Sequence, residues 1–414
     1  MLRVLMLLLA MAAPAMAAEG AVCVENATIE DLQSALATGR TTAADLVRAY
    51  TARIEAYDRD GPRLNAVREL NPEALAIAAR LDAAKPSKRR PLEGIPVLLK
   101  DNIATGDALH TTAGSLALAD AQAVRDAAIL LNVLAAPDAA DEATRDLQRP
   151  ADYTALLDED GLRGARIGIP SDPGDPVNDV YYGPLPPRAA AVMRDAIAVL
   201  EAAGAVLVRA SIPTIGWMGG PGTEVAILNR NPESPTFNQP ERRPVVYLYE
   251  LKHDLNAYLR DWAKGTKMKT MADIIAFNAA NSGLALRYGQ DIFLAAEATR
   301  GDLSEIEYVA ARQMDIRATR TLGLDAYLDG YKLDAVLFPG RSGAGIAAKA
   351  GYPSVQVPAG MTAAGGGRPI PFGATFTGRA WSEPVLLRLA YAFEQATKAR
   401  RMPQGFAALV SDCR

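Results

Sequence analysis

The stretch "ARIGIPSDPGDPVNDVYYGPLPPRAAAVMRDAIAVLEAAGAVLVRASIP", residues 165–213, decides the class of fold. It opens with the short apolar run ARIGIP and continues with a segment whose apolar residues recur at helical spacing. It closes with a second apolar run, AVLVRASIP. Two strands joined by a helix form a crossover unit, in which the strands lie parallel. The stretch therefore predicts an α/β fold with a largely parallel or mixed sheet.

The segments on both sides extend this alternation. Short apolar runs bounded by Gly or Pro predict further strands, and these runs are GIPVLL at 94–99, LDAVLFPG at 333–340, SVQVPAG at 354–360 and PFGATFTG at 371–378. Helical spacing predicts helices at 32–39, 41–58, 71–85, 121–136 and 382–401, and a mostly helical region at 223–328. Caps are expected at Thr28 with Asp31, at Asn71 before Pro72, and at Ser382. No internal repeat or long linker divides the chain.

The first residues, MLRVLMLLLAMAAPAMA, have the pattern of a secretory signal peptide. Arg3 precedes an apolar run that is too short to span a bilayer, and AMA at 15–17 resembles a small-residue cleavage site. We expect a signal peptide at 1–17, a single mature domain at 18–414, and a periplasmic or secreted protein. No stable membrane span is expected after cleavage.

Composition excludes several classes of function. The 414 residues are half hydrophobic with a net charge of −4, and no basic face interleaved with aromatic residues suggests a nucleic-acid partner. His110 and His253 are the only histidines, and no Cys or His pair has metal-ligand spacing, so neither a metal nor another cofactor is expected. Cys23 and Cys413 either form a disulfide, which export permits, or remain unpaired thiols.

The glycine-rich loop FPGRSGAG at 338–345 superficially resembles nucleotide-binding and nucleophile-bearing loops. Its glycine spacing does not match the dinucleotide fingerprint, and Ala344 stands where a nucleophile elbow centred on Ser342 needs its last glycine. The pattern favours a tight turn beside a cleft, with Ser342 as a turn residue.

Lys100 ends the apolar run GIPVLL and is the sharper candidate for chemistry. Such a lysine either extends its stem to the surface or lies partly buried. In the buried case a lowered pKa leaves a neutral amine that can act as a base. The residue alone does not decide between the two.

The sequence around Lys100, PLEGIPVLLKDNIATGDALHTTAGSLAL, resembles the opening block of the amidase signature family. That family shows a G-I-P-hydrophobic-K-D-N run followed by T-[TS]-A-G-S. Later segments resemble the family in the same order, and they are AVRDAAILLNVLAAPDAADEAT, ELKHDLNAYL, MADIIAFNAAN, AGYPSVQVPAG and GRAWSEPVLLRLAYAFEQAT. The resemblance covers nearly the whole chain after the signal peptide and points to secreted bacterial amidases.

The resemblance implies amide C–N bond hydrolysis through a Ser–cis-Ser–Lys site. In the family, an unprotonated lysine takes a proton from a bridging serine, which activates a nucleophilic serine that forms an acyl-enzyme. Lys100 matches the base. The other matching positions are candidates for the substrate cleft together with Ser342, and they are Asp101, Asn102, Thr112, Gly114 and Ser115.

The Gly/Ser-rich block that carries both serines and the oxyanion-hole amides has no counterpart here. It belongs between Ser115 and Val124, where only eight residues intervene. The resemblance thus implies a mixed β-sheet with helices on both faces and part of the central sheet lost. Loss of strands would uncover sheet edges and favour self-association.

Four interpretations remain open. The chain is an amidase-family protein that is catalytically impaired, a pseudoenzyme with Lys100 as its residual base. It is a non-catalytic exported protein that binds a small molecule or serves as a scaffold. It is an active hydrolase that uses Ser115 or Ser342 with Lys100, or it is a truncated gene product. If the cleft survives, the partner is a small-molecule amide substrate or ligand.

Overall fold

The computed structural model describes residues 22–25, 27–60, 63–84, 90–99, 124–135, 137, 144, 149–172, 174, 179–215, 222–261, 267–362 and 369–401. The chain divides into two units. The first comprises Met1–Thr154 with Arg401–Arg414, and the second comprises Ala155–Arg400. In the described part, no helix combines the length and apolar character that a transmembrane span needs.

The first unit is built from helices. They are α1 (Ile29–Ala37), α2 (Ala43–Arg53, continued by a π-helical turn at Ile54–Arg59), α3 (Ala74–Ala84) and α4 (Val124–Leu134). Thr28 and Asp31 form the predicted capping box on α1. The backbone N–H groups of Ala43 and Ala44 donate to Asp82 at 2.8 and 2.9 Å, so a side chain of α3 caps α2.

The start of α3 differs from the prediction. The Asn71 side chain accepts a hydrogen bond from the N–H of Glu73 at 2.8 Å, but α3 begins only at Ala74, so Pro72 lies in the preceding turn.

Cys23 is bonded in a disulfide, and the other cysteine of the chain, Cys413, lies outside the described residues.

The prediction of a buried strand at 94–99 is wrong for the residues that lead to Lys100. Val97, Leu98 and Leu99 are 40%, 65% and 46% exposed and form no strand. A strand is stable only when a neighbour satisfies its backbone N–H and C=O groups, and no described strand pairs with this segment. The apolar pattern is present, but no described strand partners it.

The second unit contains the central sheet. Its strands are β1 (Arg166–Ile169), β2 (Val206–Arg209), β5 (Ala335–Pro339), β6 (Ser354–Thr362) and β7 (Ile370–Thr377), with β3 (Glu224–Leu228) and β4 (Pro240–Pro244) in a separate hairpin. The order is β2-β1-β5-β7-β6, with β1 parallel to β2 and β5, and β7 antiparallel to β5 and β6. This mixed sheet confirms the predicted fold class.

Helices cover both faces of the sheet. The helices that the structure describes in the second unit are α5 (Pro187–Ala202), α6 (Val245–Asp261), α7 (Met271–Ala280), α8 (Ser282–Ala285), α9 (Asp291–Glu297), α10 (Ile306–Ile316, continued by π-helical turns at Arg317–Asp325), α11 (Ala326–Gly330), α12 (Ala344–Ala350) and α13 (Glu383–Thr397). On one face, Val336 and Phe338 pack with Tyr327 of α11 and Ile346 of α12. On the other face, Phe376 meets Phe393 of α13 edge to face at 5.8 Å.

Both end strands of the sheet carry features that hinder further pairing. The strand β2 has four residues and ends in Arg209, whereas β6 contains Pro358 and an irregular register between Pro358 and Gly360. Short strands, charges, prolines and bulges blunt an edge against added strands. Self-association through the sheet edges stays a prediction.

Candidate functional site

The loop after β5 holds Ser342, the predicted site residue that falls within the described part. Gly340 has φ +53°, and a Cβ added at Gly343 would lie 2.3 Å from the ring of Phe338. The turn therefore needs glycine at Gly343 because the backbone packs directly on a buried ring. The Ser342 hydroxyl donates to the carbonyl of Pro339 at 2.8 Å, so it stabilises the turn that it belongs to.

Polar side chains around this loop are satisfied by neighbouring backbone groups. The Tyr182 hydroxyl donates to the carbonyl of Leu337 at 2.9 Å, and the Thr375 hydroxyl donates to the carbonyl of Gly340 at 2.5 Å. Burial raises the pKa of Tyr182 well above its usual range, so the phenol stays neutral. These groups position the sheet end and present no activated nucleophile.

An ion pair with a buried carboxylate joins α10, which precedes this loop in the chain, to α12, which follows it. The sequence pattern did not indicate this pair. Lys349 of α12 donates from Nζ to Asp315 of α10 at 2.7 Å, and Asp315 is 4% exposed. An ammonium group that donates to a buried carboxylate has no free electron pair with which to take a proton from a serine. Lys349 is therefore a structural lysine. Its partner lies 34 positions away in the chain, a distance at which no local pattern links two residues.

The remaining predicted site residues lie outside the described residues. These are Lys100, Asp101, Asn102, Thr112, Gly114 and Ser115. The structure consequently neither joins them to Ser342 nor separates them from it. Within the described part, Ser342 receives no hydrogen bond from a lysine or a histidine. His253 lies on the exposed surface of α6 beside Asp254.

Each unit has a cavity of about 240 Å³ in its described part. Neither is lined by a predicted site residue. The first is lined by Pro358, Glu394, Gln395, Lys398, Ala399 and Arg400, and the second lies between residues 22–25, residues 40–41 and α2. The lining residues of both cavities are far from Lys100 in the sequence.

Comparison with known proteins identifies the family. The family model described as Amidase matches residues 45–123 and 120–387. A "Probable amidase" of Arabidopsis thaliana is 27% identical over 92% of both chains. The two matched segments together cover more than half of this chain, and the plant relative is matched along nearly its full length.

Solved structures agree with this assignment. The native peptide amidase from Stenotrophomonas maltophilia is 30% identical, with a TM-score of 0.74 over 91% of this chain and 98% of its own. An amidase family protein from Bacillus anthracis, at 23% identity and a TM-score of 0.74 over 92% of both chains, shares the fold. The family match spans most of the sequence and includes the mixed sheet, and this chain therefore belongs to the amidase signature family of hydrolases.

Proposed function

We propose that this chain is an amidase-family protein that keeps the family's general base, Lys100, and lacks the segment that carries the bridging and nucleophilic serines. Hydrolysis of amide C–N bonds, the reaction class of the family, is then impaired. The related structure from Stenotrophomonas maltophilia is that of a peptide amidase, which makes peptide-type amides the first compounds to examine as substrates or ligands.

The observation that carries the proposal is that the family model matches this chain in two separate segments. The two matched segments, 45–123 and 120–387, meet at residues 120–123, inside the interval where the serine block belongs. In addition, the alignment with the Arabidopsis thaliana protein runs over 483 positions, more than the 414 residues of this chain. Part of the relative's length thus has no counterpart here.

The exposure of Val97, Leu98 and Leu99 supports the same proposal. These residues precede the proposed base and have the apolar character of a sheet strand, yet solvent reaches 40–65% of each. Loss of neighbouring strands from the central sheet explains why such a segment stays unpaired. It also explains why the predicted strand failed at this place while the predicted strands of the second unit formed.

A lysine base alone does not hydrolyse an amide. The base must lie within hydrogen-bond reach of the hydroxyl that it deprotonates, and the acyl transfer needs donors aimed at the oxyanion. Ser342 is a poor substitute for the missing nucleophile because its hydroxyl already donates to the carbonyl of Pro339. Ser115 matches a turn of the family rather than its nucleophile.

The chain is further proposed to act in the periplasm or outside the cell. The signal-like residues 1–17 support this location, as does the disulfide at Cys23, because disulfides persist in oxidising compartments. A non-catalytic role in binding a small molecule remains the second candidate. A truncated gene is distinguished by reading the genomic DNA across codons 115–124 for an in-frame deletion.

Labelling with a fluorophosphonate serine probe tests the proposal. We expect no covalent adduct on the full chain, measured by intact mass, and the same result for Lys100→Ala. The peptide amidase from Stenotrophomonas maltophilia serves as the positive control. Stoichiometric labelling of the chain that Lys100→Ala abolishes would contradict the proposal, and parallel Ser115→Ala and Ser342→Ala variants would then identify the labelled serine.

A further inference from the structure

The helices α6 and α7 expose opposite kinds of side chain. In α6, the exposed residues are Tyr247, His253, Asp254, Arg260 and Asp261, the polar outer face expected of a soluble protein. In α7, every exposed residue except Asp273 is apolar, and these residues are Ala272, Ala276, Phe277, Ala279 and Ala280. Met271 is the one residue of α7 that is fully buried. A helix with apolar residues facing outward is covered by something in the working protein.

Exposed apolar side chains are also present in the residues that follow α7. Leu284 of α8 is 92% exposed, Tyr288 is 56% exposed and Phe277 is 51% exposed. Residues 267–290, which contain all three, are referred to below as the basic–apolar segment. Three large apolar or aromatic side chains within twelve residues exceed the scattered exposure that is ordinary on a soluble surface.

Cations flank the apolar residues of this segment on both sides. Lys267 and Lys269 precede α7, and Arg287 follows α8; all three are exposed. Neither lysine forms an ion pair with any residue that the structure describes, whereas Arg287 pairs with Glu233 at 2.7 Å. The single carboxylate of the segment, Asp273, accepts from the N–H groups of Lys269 and Thr270 at 2.9 Å and so serves as a helix cap.

We propose that the basic–apolar segment docks on the surface of an anionic lipid bilayer. Leu284, Phe277 and Tyr288 enter the interface between headgroups and acyl chains, while Lys267 and Lys269 contact the headgroup phosphates. Apolar insertion combined with lysines at the headgroup level is the recognition chemistry of interfacial helices. Docking of this kind is peripheral and needs no membrane-spanning helix.

The charge pattern favours a lipid over a second copy of the chain. In a symmetric dimer the same face meets itself, which would place the cations of both copies in one interface. An anionic bilayer instead supplies negative charge to both lysines at once. The chain as a whole carries a net charge of −4, so the segment is a local cationic region on an acidic protein.

Vesicle co-sedimentation of the full chain tests the proposal. We expect binding to phosphatidylcholine vesicles that contain phosphatidylglycerol, weaker binding to pure phosphatidylcholine, and loss of the difference at high salt. Leu284→Ser should lower the partition coefficient about tenfold, because burial of one large aliphatic side chain is lost. Replacing both lysines, Lys267→Glu with Lys269→Glu, should abolish the preference for anionic vesicles.

The matched control is Ile306→Ser. Ile306 is 74% exposed but lies between Glu305 and Glu307, so its replacement should leave vesicle binding unchanged. Circular dichroism of each variant separates lost binding from lost folding. The proposal is overturned if the parent chain does not sediment with anionic vesicles or if Ile306→Ser binds as weakly as Leu284→Ser. A dimer in light scattering that Leu284→Ser dissociates would also overturn it and would assign the face to a second copy.

Discussion

The segments at 94–99 and at 335–339 have a similar apolar pattern, but only the second forms a buried strand. Both are short apolar runs beside Gly or Pro, and both are predicted as buried strands. Ala335–Pro339 forms β5, is buried at every position, and lies between β1 and β7. The residues at 97–99 are exposed and pair with no described strand. The difference shows that an apolar run becomes a strand only where neighbouring strands supply its backbone partners.

The largest expected effect is the difference in lost stability between a substitution in 335–339 and one in 94–99. Phe338→Ala should lower the free energy of unfolding of the second unit by about 3–5 kcal/mol, because Phe338 is fully buried and meets Tyr181 edge to face at 4.8 Å. Leu98→Ala should change the free energy of unfolding of the first unit, which contains Leu98, by less than about 0.5 kcal/mol. Urea unfolding measures both. Equal losses from the two variants would show that 94–99 is packed as β5 is.

A smaller loss of stability is expected when the ion pair between Lys349 and Asp315 is broken. Lys349→Met should cost about 2 kcal/mol, because it leaves the carboxylate of Asp315 buried without its partner. Arg163→Met is the control, since Arg163 and Asp160 form an ion pair at 3.0 Å with both side chains 77% exposed. That pair should contribute less than about 0.5 kcal/mol. Similar losses in the two variants would contradict the assigned burial.

The smallest expected effect is a pH dependence of the free energy of unfolding that comes from Tyr352. Burial, and then a hydrogen bond from its hydroxyl to Asp325 at 2.5 Å, raises the pKa of Tyr352 to about 12. A pKa that is higher in the folded state favours folding while the phenol is neutral. This contribution is complete below pH 10, the ordinary value, and is lost as the pH rises through 12.

Tyr352→Phe tests this contribution in urea titrations at about pH 9 and about pH 11, on either side of the ordinary phenol pKa. The fall in unfolding free energy between the two pH values should differ between the variant and the parent chain, because only the parent carries the phenol of Tyr352. Since the unfolded phenol ionises first, the parent should lose more stability than the variant. Other buried tyrosines titrate in both proteins, so their effects cancel in the comparison. An identical fall in both proteins would show that Tyr352 ionises equally in the folded and unfolded states.

The sequence predicted the second unit well because its signals are local. The run ARIGIP, the helix at Pro187–Ala202 and the run AVLVRASIP formed β1, α5 and β2, and the three C-terminal runs formed β5, β6 and β7. The hairpin β3–β4 was missed within a region predicted to be mostly helical. Its second strand, PERRP, lacks residues that favour strands. The side chain of Asn229 instead organises the hairpin by donating to Ser234, Thr236 and Glu241.

The candidate site was predictable only in part. The family motif indicates Lys100 and its neighbours, because a lysine at the end of an apolar run within G-I-P-x-x-x-K-D-N is specific. The ion pair between Lys349 and Asp315 and the packing of Gly343 on Phe338 depend on residues far apart in the chain or on tertiary contacts. No periodicity or motif encodes such contacts.

Turnover of amides by the full chain tests the central claim most directly. The claim is that Lys100 lacks the serine block that it would serve. Ammonia release from a panel of peptide amides and short aliphatic and aromatic amides should equal the release in buffer and that of Lys100→Ala. Release above both, lost in Lys100→Ala, would contradict the account and would show that a complete catalytic site exists in this chain.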